Sequence, residues 1–245
     1  MSSQPEAPES GLDWLWRWTL LLAPALIGAV LVFDLMPTLD LRLSGLFYRP
    51  GEGFFLDHSW PVQALYLGTR WLVVALALAL LGALGWGLLH HTPQGRRVRQ
   101  YAVFAILALA LGPGLVVNTA LKDHWGRPRP AQIAPFGGSG SYVPALLPSR
   151  QCDHNCSFVS GHAAVGFFLI TGAWIWPRRK LQWRIAGIAA GSLIGLARIA
   201  QGGHFFSDVL GALAVVWLCN ELLYRALLSR GWLEAPAPKA GARKT

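Results

Sequence analysis

Six long apolar stretches, parted by short charged segments, restrict this chain more than any other feature of its sequence. They run roughly over residues 14–35, 64–89, 101–121, 159–176, 183–200 and 209–228. A bilayer core about 30 Å thick takes about 20 apolar residues per spanning helix. Lipid offers no partner to backbone N–H and C=O groups, so a run of that length must satisfy them internally, as a helix. Composition agrees: 53% of the 245 residues are hydrophobic and 13% are charged, about half the charge of a soluble domain. The expectation is an all-α, six-transmembrane helix bundle. The fourth and fifth runs are short and polar at one end.

The net charge of +9 sits between the apolar runs and not on one solvated face, which excludes a nucleic-acid partner. Segments after runs two, four and six carry twelve Lys and Arg; the opposite side carries seven. The positive-inside rule then puts both termini in the cytoplasm. Acidic residues precede the first run, so no cleavable leader is read there. Residues 1–12 and 231–245 read as polar, disordered tails, the second one basic, flanking one membrane domain over residues 13–230. Trp14, Trp16, Trp18, Trp174, Trp176 and Trp183 lie at run ends, as headgroup anchors do. Residues 36–60 form an outer loop, with an interfacial segment expected near 46–55.

Ionisable side chains at membrane depth are costly and need a reason. Three segments concentrate them on the predicted outer face. The first, residues 122–130, reads Lys122-Asp-His-Trp-Gly-Arg-Pro-Arg129-Pro130; its cations suit phosphate oxygens, though alone it equally reads as a basic helix stop. The second, residues 157–162, leads through Ser160, Gly161 and His162 into run four. A helix N-terminus there offers free N–H groups to an anion, or Ser160 simply caps the helix. The third, residues 197–208, holds Arg198, His204 and Asp208. The last two are four apart and share a helical face. A carboxylate accepting from one ring nitrogen frees the other to attack, or Asp208 is only a helix-capping acid. Together the segments supply what phosphoryl transfer needs: cationic clamps, an in-line nucleophile and an acid for the leaving group.

The three segments resemble the signature of the type 2 phosphatidic acid phosphatase superfamily, which also contains vanadium haloperoxidases and bacterial acid phosphatases. Lys122, Arg129 and Pro130 match its Lys, six residues, Arg-Pro element. Ser160, Gly161 and His162 match Pro-Ser-Gly-His, with Val159 in place of the proline. Arg198, His204 and Asp208 match its third element, with Ala197 in place of a serine. The resemblance implies a haloperoxidase-like helical core. It further implies that His204 is a nucleophile oriented by Asp208, that His162 protonates the leaving oxygen, and that Lys122, Arg129, Arg198, Ser160 and Gly161 hold the phosphate. No cofactor or metal is implied. Arg127 is outside the fixed pattern and reads either as a further substrate contact or as solvated; Asp123 is expected to pair with a neighbouring cation.

Cys152 and Cys156 precede the second segment on the outer side, where a bridge is plausible. Free thiols, or a zinc pair helped by His154, are the alternatives. Cys219 lies inside run six and reads as packing. The stretch leading from these cysteines, with the residues around His204, is similar to bacterial lipid A phosphatases. The expected function is a lipid phosphatase on the outer face of a bacterial inner membrane, acting on lipid A, undecaprenyl diphosphate or phosphatidylglycerol phosphate. A lipid-to-lipid phosphotransferase and a non-enzymatic lipid-phosphate transporter are the competing classes.

Overall fold

The computed structural model describes residues 11–233, with side chains at position 22 and from 24 onward. The expectations for residues 1–10 and 234–245, and for Trp14, Trp16 and Trp18 as anchors, lie outside these described parts. The chain is mostly helical. Helix α1 covers Gly11–Leu35 and α2 covers Pro37–Gly45, with an 85° bend between them. A small antiparallel hairpin follows, β1 (Tyr48–Arg49) and β2 (Gly53–Phe54). It packs Tyr48 and Phe54 against Phe136, with ring centroids about 5.3–5.5 Å apart. The segment expected at the interface near 46–55 is thus a hairpin seated on the loop over residues 125–160.

Helix α3 is Trp60–Leu89, and α4 is Pro93–Leu109, continued by wider π-helical turns over Ala110–Leu121 and a last turn at Lys122–His124. Pro113 lies inside those turns; its ring cannot donate to the helical ladder, and widened turns accommodate it. Helix α5 is Gly161–Ile175, with a tighter turn at Phe168–Thr171. Helix α6 is Lys180–Ala200 and α7 is Phe206–Ser229.

Among the described residues, four helices are long and apolar enough to cross a membrane, and the bent α1–α2 pair makes a fifth. Helix α5 does not qualify by length. Its 15 residues rise about 22 Å, short of a bilayer core. Instead it is the centre of the protein: Ala163, Ala164, Phe167, Phe168 and Ile170 are all buried. The opposite extreme is α3, whose most apolar window is only 6% buried within the protein and which presents Leu67, Leu78 and Leu81 outward. Close packing of α5 against α6 needs small residues, as helix contacts in lipid do. A Cβ on Gly166 would lie 2.7 Å from the Gly191 backbone.

One tryptophan departs from the anchoring expectation. Trp174 is buried and meets Trp217 edge-on at 5.6 Å, because α5 lies inside the bundle. Trp183 stacks on the exposed Trp176 at 4.9 Å.

Candidate active site

The three charged segments meet because the main chain stitches them together. Cys156 N–H donates to the Lys122 carbonyl at 2.9 Å, and Ser157 N–H to the Arg127 carbonyl at 2.8 Å. Ser160 N–H donates to the Asp208 carbonyl at 3.1 Å, and Ala131 N–H to the Gly202 carbonyl at 3.0 Å. Lys122 ends α4, Ser160 caps α5 by accepting from Ala163 N–H, Arg198 closes α6, and Asp208 stands in the first turn of α7. Lys122, Ser160, Arg198, His204 and Asp208 are all buried. Lys122 and Arg198 also act electrostatically on both His162 and His204.

Two glycines permit this convergence. A Cβ on Gly161 would fall 2.6 Å from Asn118 Oδ1 and 3.4 Å from Lys122 Cε. One on Gly203 would fall 2.3 Å from the Arg198 guanidinium. A side chain at 161 would displace Asn118, and one at 203 would displace the Arg198 cation.

His204 is fully buried, and its Nδ1 lies 2.7 Å from the Ser157 carbonyl oxygen. A carbonyl only accepts, so Nδ1 carries the proton and Nε2 of the neutral ring holds its lone pair. Nε2 has no hydrogen-bond partner among the described residues. Asp208 Oδ2 stands farther from Nδ1, at 3.6 Å. The orienting acceptor expected to be the carboxylate is therefore chiefly a main-chain carbonyl. Burial, joined by the charges of Lys122 and Arg198 and opposed by Asp208, pushes the His204 pKa down to about 3.

Asp208 belongs to a larger network. Its Oδ2 accepts from Ser157 Oγ at 2.5 Å and from Phe205 N–H at 2.8 Å, so the capping role read from the sequence coexists with proximity to His204. Its Oδ1 accepts from Arg127. Arg127 is wholly buried, which corrects both sequence readings of it, as substrate contact and as solvated. Its Nη2 donates to Asp40 Oδ2 at 2.9 Å, its Nη1 to Ser207 Oγ at 2.8 Å and its Nε to the Val143 carbonyl at 2.8 Å. The Phe205 ring covers the guanidinium at 4.3 Å. Burial works against this charge, but Asp208 and Asp40 outweigh it and hold the Arg127 pKa above the ordinary arginine value.

Asp40, Ser207 and Tyr66 were not singled out by the sequence reading. Asp40 carried a signal, an acid set between Leu39 and Leu41 near membrane depth. Tyr66 carried none. It comes from α3 and stacks on His162 at 4.8 Å, with the Arg198 guanidinium 4.7 Å from its ring.

On the loop over residues 125–160 the sulfurs of Cys152 and Cys156 are bonded, with Cα atoms 5.7 Å apart. His154 Nδ1 lies 3.0 Å from Asp123 Oδ1. Between them, Asn155 accepts from Lys122 Nζ through its side-chain Oδ1 at 2.8 Å and from Arg129 Nη2 through its backbone oxygen at 2.7 Å.

Comparison with known proteins agrees with the resemblance carried by these segments. The chain is 36% identical to a lipid A 4′-phosphatase of Francisella tularensis subsp. novicida, over 80% of this chain and 91% of that one. It is 31% identical to a lipid A 4′-phosphatase of Rhizobium etli, over 87% and 84%, and 31% identical to an undecaprenyl-diphosphatase of Bacillus subtilis, over 64% and 70%. No solved structure matches. The PAP2 superfamily profile matches residues 101–232, a stretch that takes in every charged and imidazole position of the three segments, and the chain belongs to that superfamily.

Proposed function

We propose that this protein is an integral membrane phosphatase that hydrolyses a lipid phosphate of the lipid A type, through a phosphohistidine on His204. The observation that carries the reading is the buried His204 ring, with Nδ1–H held by the Ser157 carbonyl and Nε2 unengaged beside Lys122 and Arg198. An imidazole so fixed presents a lone pair in one direction, which is what in-line attack on phosphorus needs. In the first step the Nε2–P bond forms as the P–O bond to the lipid breaks. His162 gives its proton to the departing lipid oxygen. In the second, His162 takes a proton from water, whose oxygen attacks phosphorus as the Nε2–P bond breaks, freeing His204 and inorganic phosphate. Lys122, Arg129, Arg198 and the N–H groups at the start of α5 neutralise the equatorial oxygens.

The lipid A 4′-phosphatase relatives favour lipid A among the three candidate lipids. The charge asymmetry favours six spans, counting α1 and the short α5, with both termini cytoplasmic and the site on the periplasmic side of the inner membrane. The test uses purified protein in nanodiscs with lipid A, undecaprenyl diphosphate and phosphatidylglycerol phosphate, each with chelator present. Phosphate release from lipid A that His204→Ala abolishes, with acid-labile phosphate trapped on the wild-type protein, is expected. Full activity of His204→Ala overturns the reading.

A further inference from the structure

The residues flanking the disulfide do something the phosphatase reading does not require: they touch the cations assigned to phosphate. Five residues, Cys152–Cys156, form a loop closed by the bridge, and Asn155 stands in it at φ 51°. Asparagine is among the few residues other than glycine that adopt this left-handed conformation readily. In it, the side chain and the backbone oxygen of one residue face two cations at once. Oδ1 takes Lys122 Nζ and the backbone oxygen takes Arg129 Nη2. The loop is fastened from below as well. Asn155 N–H donates to Asp123 Oδ1 at 3.3 Å, His154 pairs with the same oxygen, and Cys156 N–H holds the Lys122 carbonyl.

We infer that Asn155 is a positioning residue for the phosphate clamp, and that the Cys152–Cys156 bridge makes phosphate binding depend on the oxidation state of this loop. This rests on the assignment of Lys122 and Arg129 to phosphate.

Donor arithmetic favours support over competition. An ammonium has three donors and a guanidinium five. Asn155 takes one from each, leaving two on Lys122 and four on Arg129 for a bound anion. Neither cation has a carboxylate within salt-bridge distance among the described residues. Asn155 is therefore the group that fixes the direction of their long, flexible stems, and it adds no negative charge to repel phosphate. A carboxylate at 155 would anchor them equally well but would oppose the anion. Preorganising the two side chains removes part of the rotamer entropy that phosphate binding would otherwise cost.

The experiment uses the full chain in nanodiscs, with inorganic phosphate and orthovanadate as probes, binding read directly by calorimetry. Asn155→Gly permits the left-handed backbone and deletes the side chain that carries Oδ1, leaving the backbone oxygen for Arg129. It should weaken binding of both anions about fivefold to tenfold, the cost of ordering one freed, rotamer-rich side chain on binding, with Tm changed little. Reduction of the wild type should weaken binding in the same direction and recover on reoxidation. Cys152→Ser/Cys156→Ser should bind as weakly as the reduced wild type and ignore reductant. Should that double variant fail to fold, the wild type under reductant and Asn155→Gly still decide. Equal or tighter binding by Asn155→Gly overturns the inference, making Asn155 a competitor or a bystander. Unchanged binding on reduction overturns the redox half. Failure of the phosphatase reading looks different: anions bind and respond to Asn155→Gly, yet no lipid releases phosphate.

Discussion

Arg127 and Asp40 meet across 87 residues of sequence, Nη2 to Oδ2 at 2.9 Å, with both side chains at 0% exposure. The same guanidinium holds Asp208, so an acid on α2 is tied to the acid beside His204 by a single shared cation. Removing Arg127 would leave two buried carboxylates with no counter-charge, whereas removing Asp40 leaves Arg127 still paired with Asp208.

Arg127→Met should destabilise the protein by about 3–5 kcal/mol, the usual cost of breaking a buried pair from one side; Asp40→Ala should cost about 1–3 kcal/mol, for the buried donors of Arg127 and Ser207 that lose their acceptor. Asp40→Asn should cost less, because its amide oxygen can still accept from Arg127. Thermal unfolding in detergent, with lipid phosphatase activity measured on the fraction that stays folded, checks both.

Ser157→Ala separates the two acceptors near His204. It deletes the hydroxyl that donates to Asp208 but leaves the carbonyl that fixes Nδ1. A stability loss of about 1.5–3 kcal/mol, the value of a hydrogen bond to a charged group, should accompany retention of measurable turnover. Loss of turnover comparable to His204→Ala would mean that the carboxylate, and not the carbonyl, sets the ring.

The acid stability of the protein should carry the mark of His204. Its pKa falls from 6.5 when unfolded to about 3 in the buried site. Between those values the unfolded chain binds a proton that the folded one refuses, so stability rises with pH in that window. The contribution is full above about pH 6.5 and is lost as pH falls toward 3. His204→Gln lacks this term. Its Tm should decline less than the wild type's between pH 7 and 4, and parallel decline would refute the shift.

Tyr66 lies against two side chains of the site, His162 and Arg198. Tyr66→Ala should lower activity about tenfold, by removing the stack under His162 and a cation–π contact to Arg198 of about 1 kcal/mol or more. Tyr66→Phe, which loses only the hydroxyl bonded to Arg70 at 3.1 Å, should stay close to wild type. Initial rates on a lipid phosphate distinguish the two.

How far the sequence could be read depends on the range of each interaction. The spacings from Lys122 to Arg129 and from Arg198 through His204 to Asp208 are local, and the structure gathers those residues in one place. Apolar runs became helices for the same reason. Hydropathy does not say whether an apolar face meets lipid or another helix, so run four turns out to be the short α5 buried at the centre of the bundle, and Trp174 lies in the core. Arg127 was misread because its counter-charges come from 87 and 81 residues away. The Asn155 contacts depend on one backbone dihedral, which no periodicity reports.

The stretch matched by the superfamily profile opens at Tyr101, well after Asp40. A transplant confined to that matched stretch would carry every signature residue and still arrive without Asp40, the second acid on Arg127. What looks in sequence like a self-contained module is, electrostatically, borrowed from its neighbour, and any chimera of this enzyme must bring the first bent helix pair along.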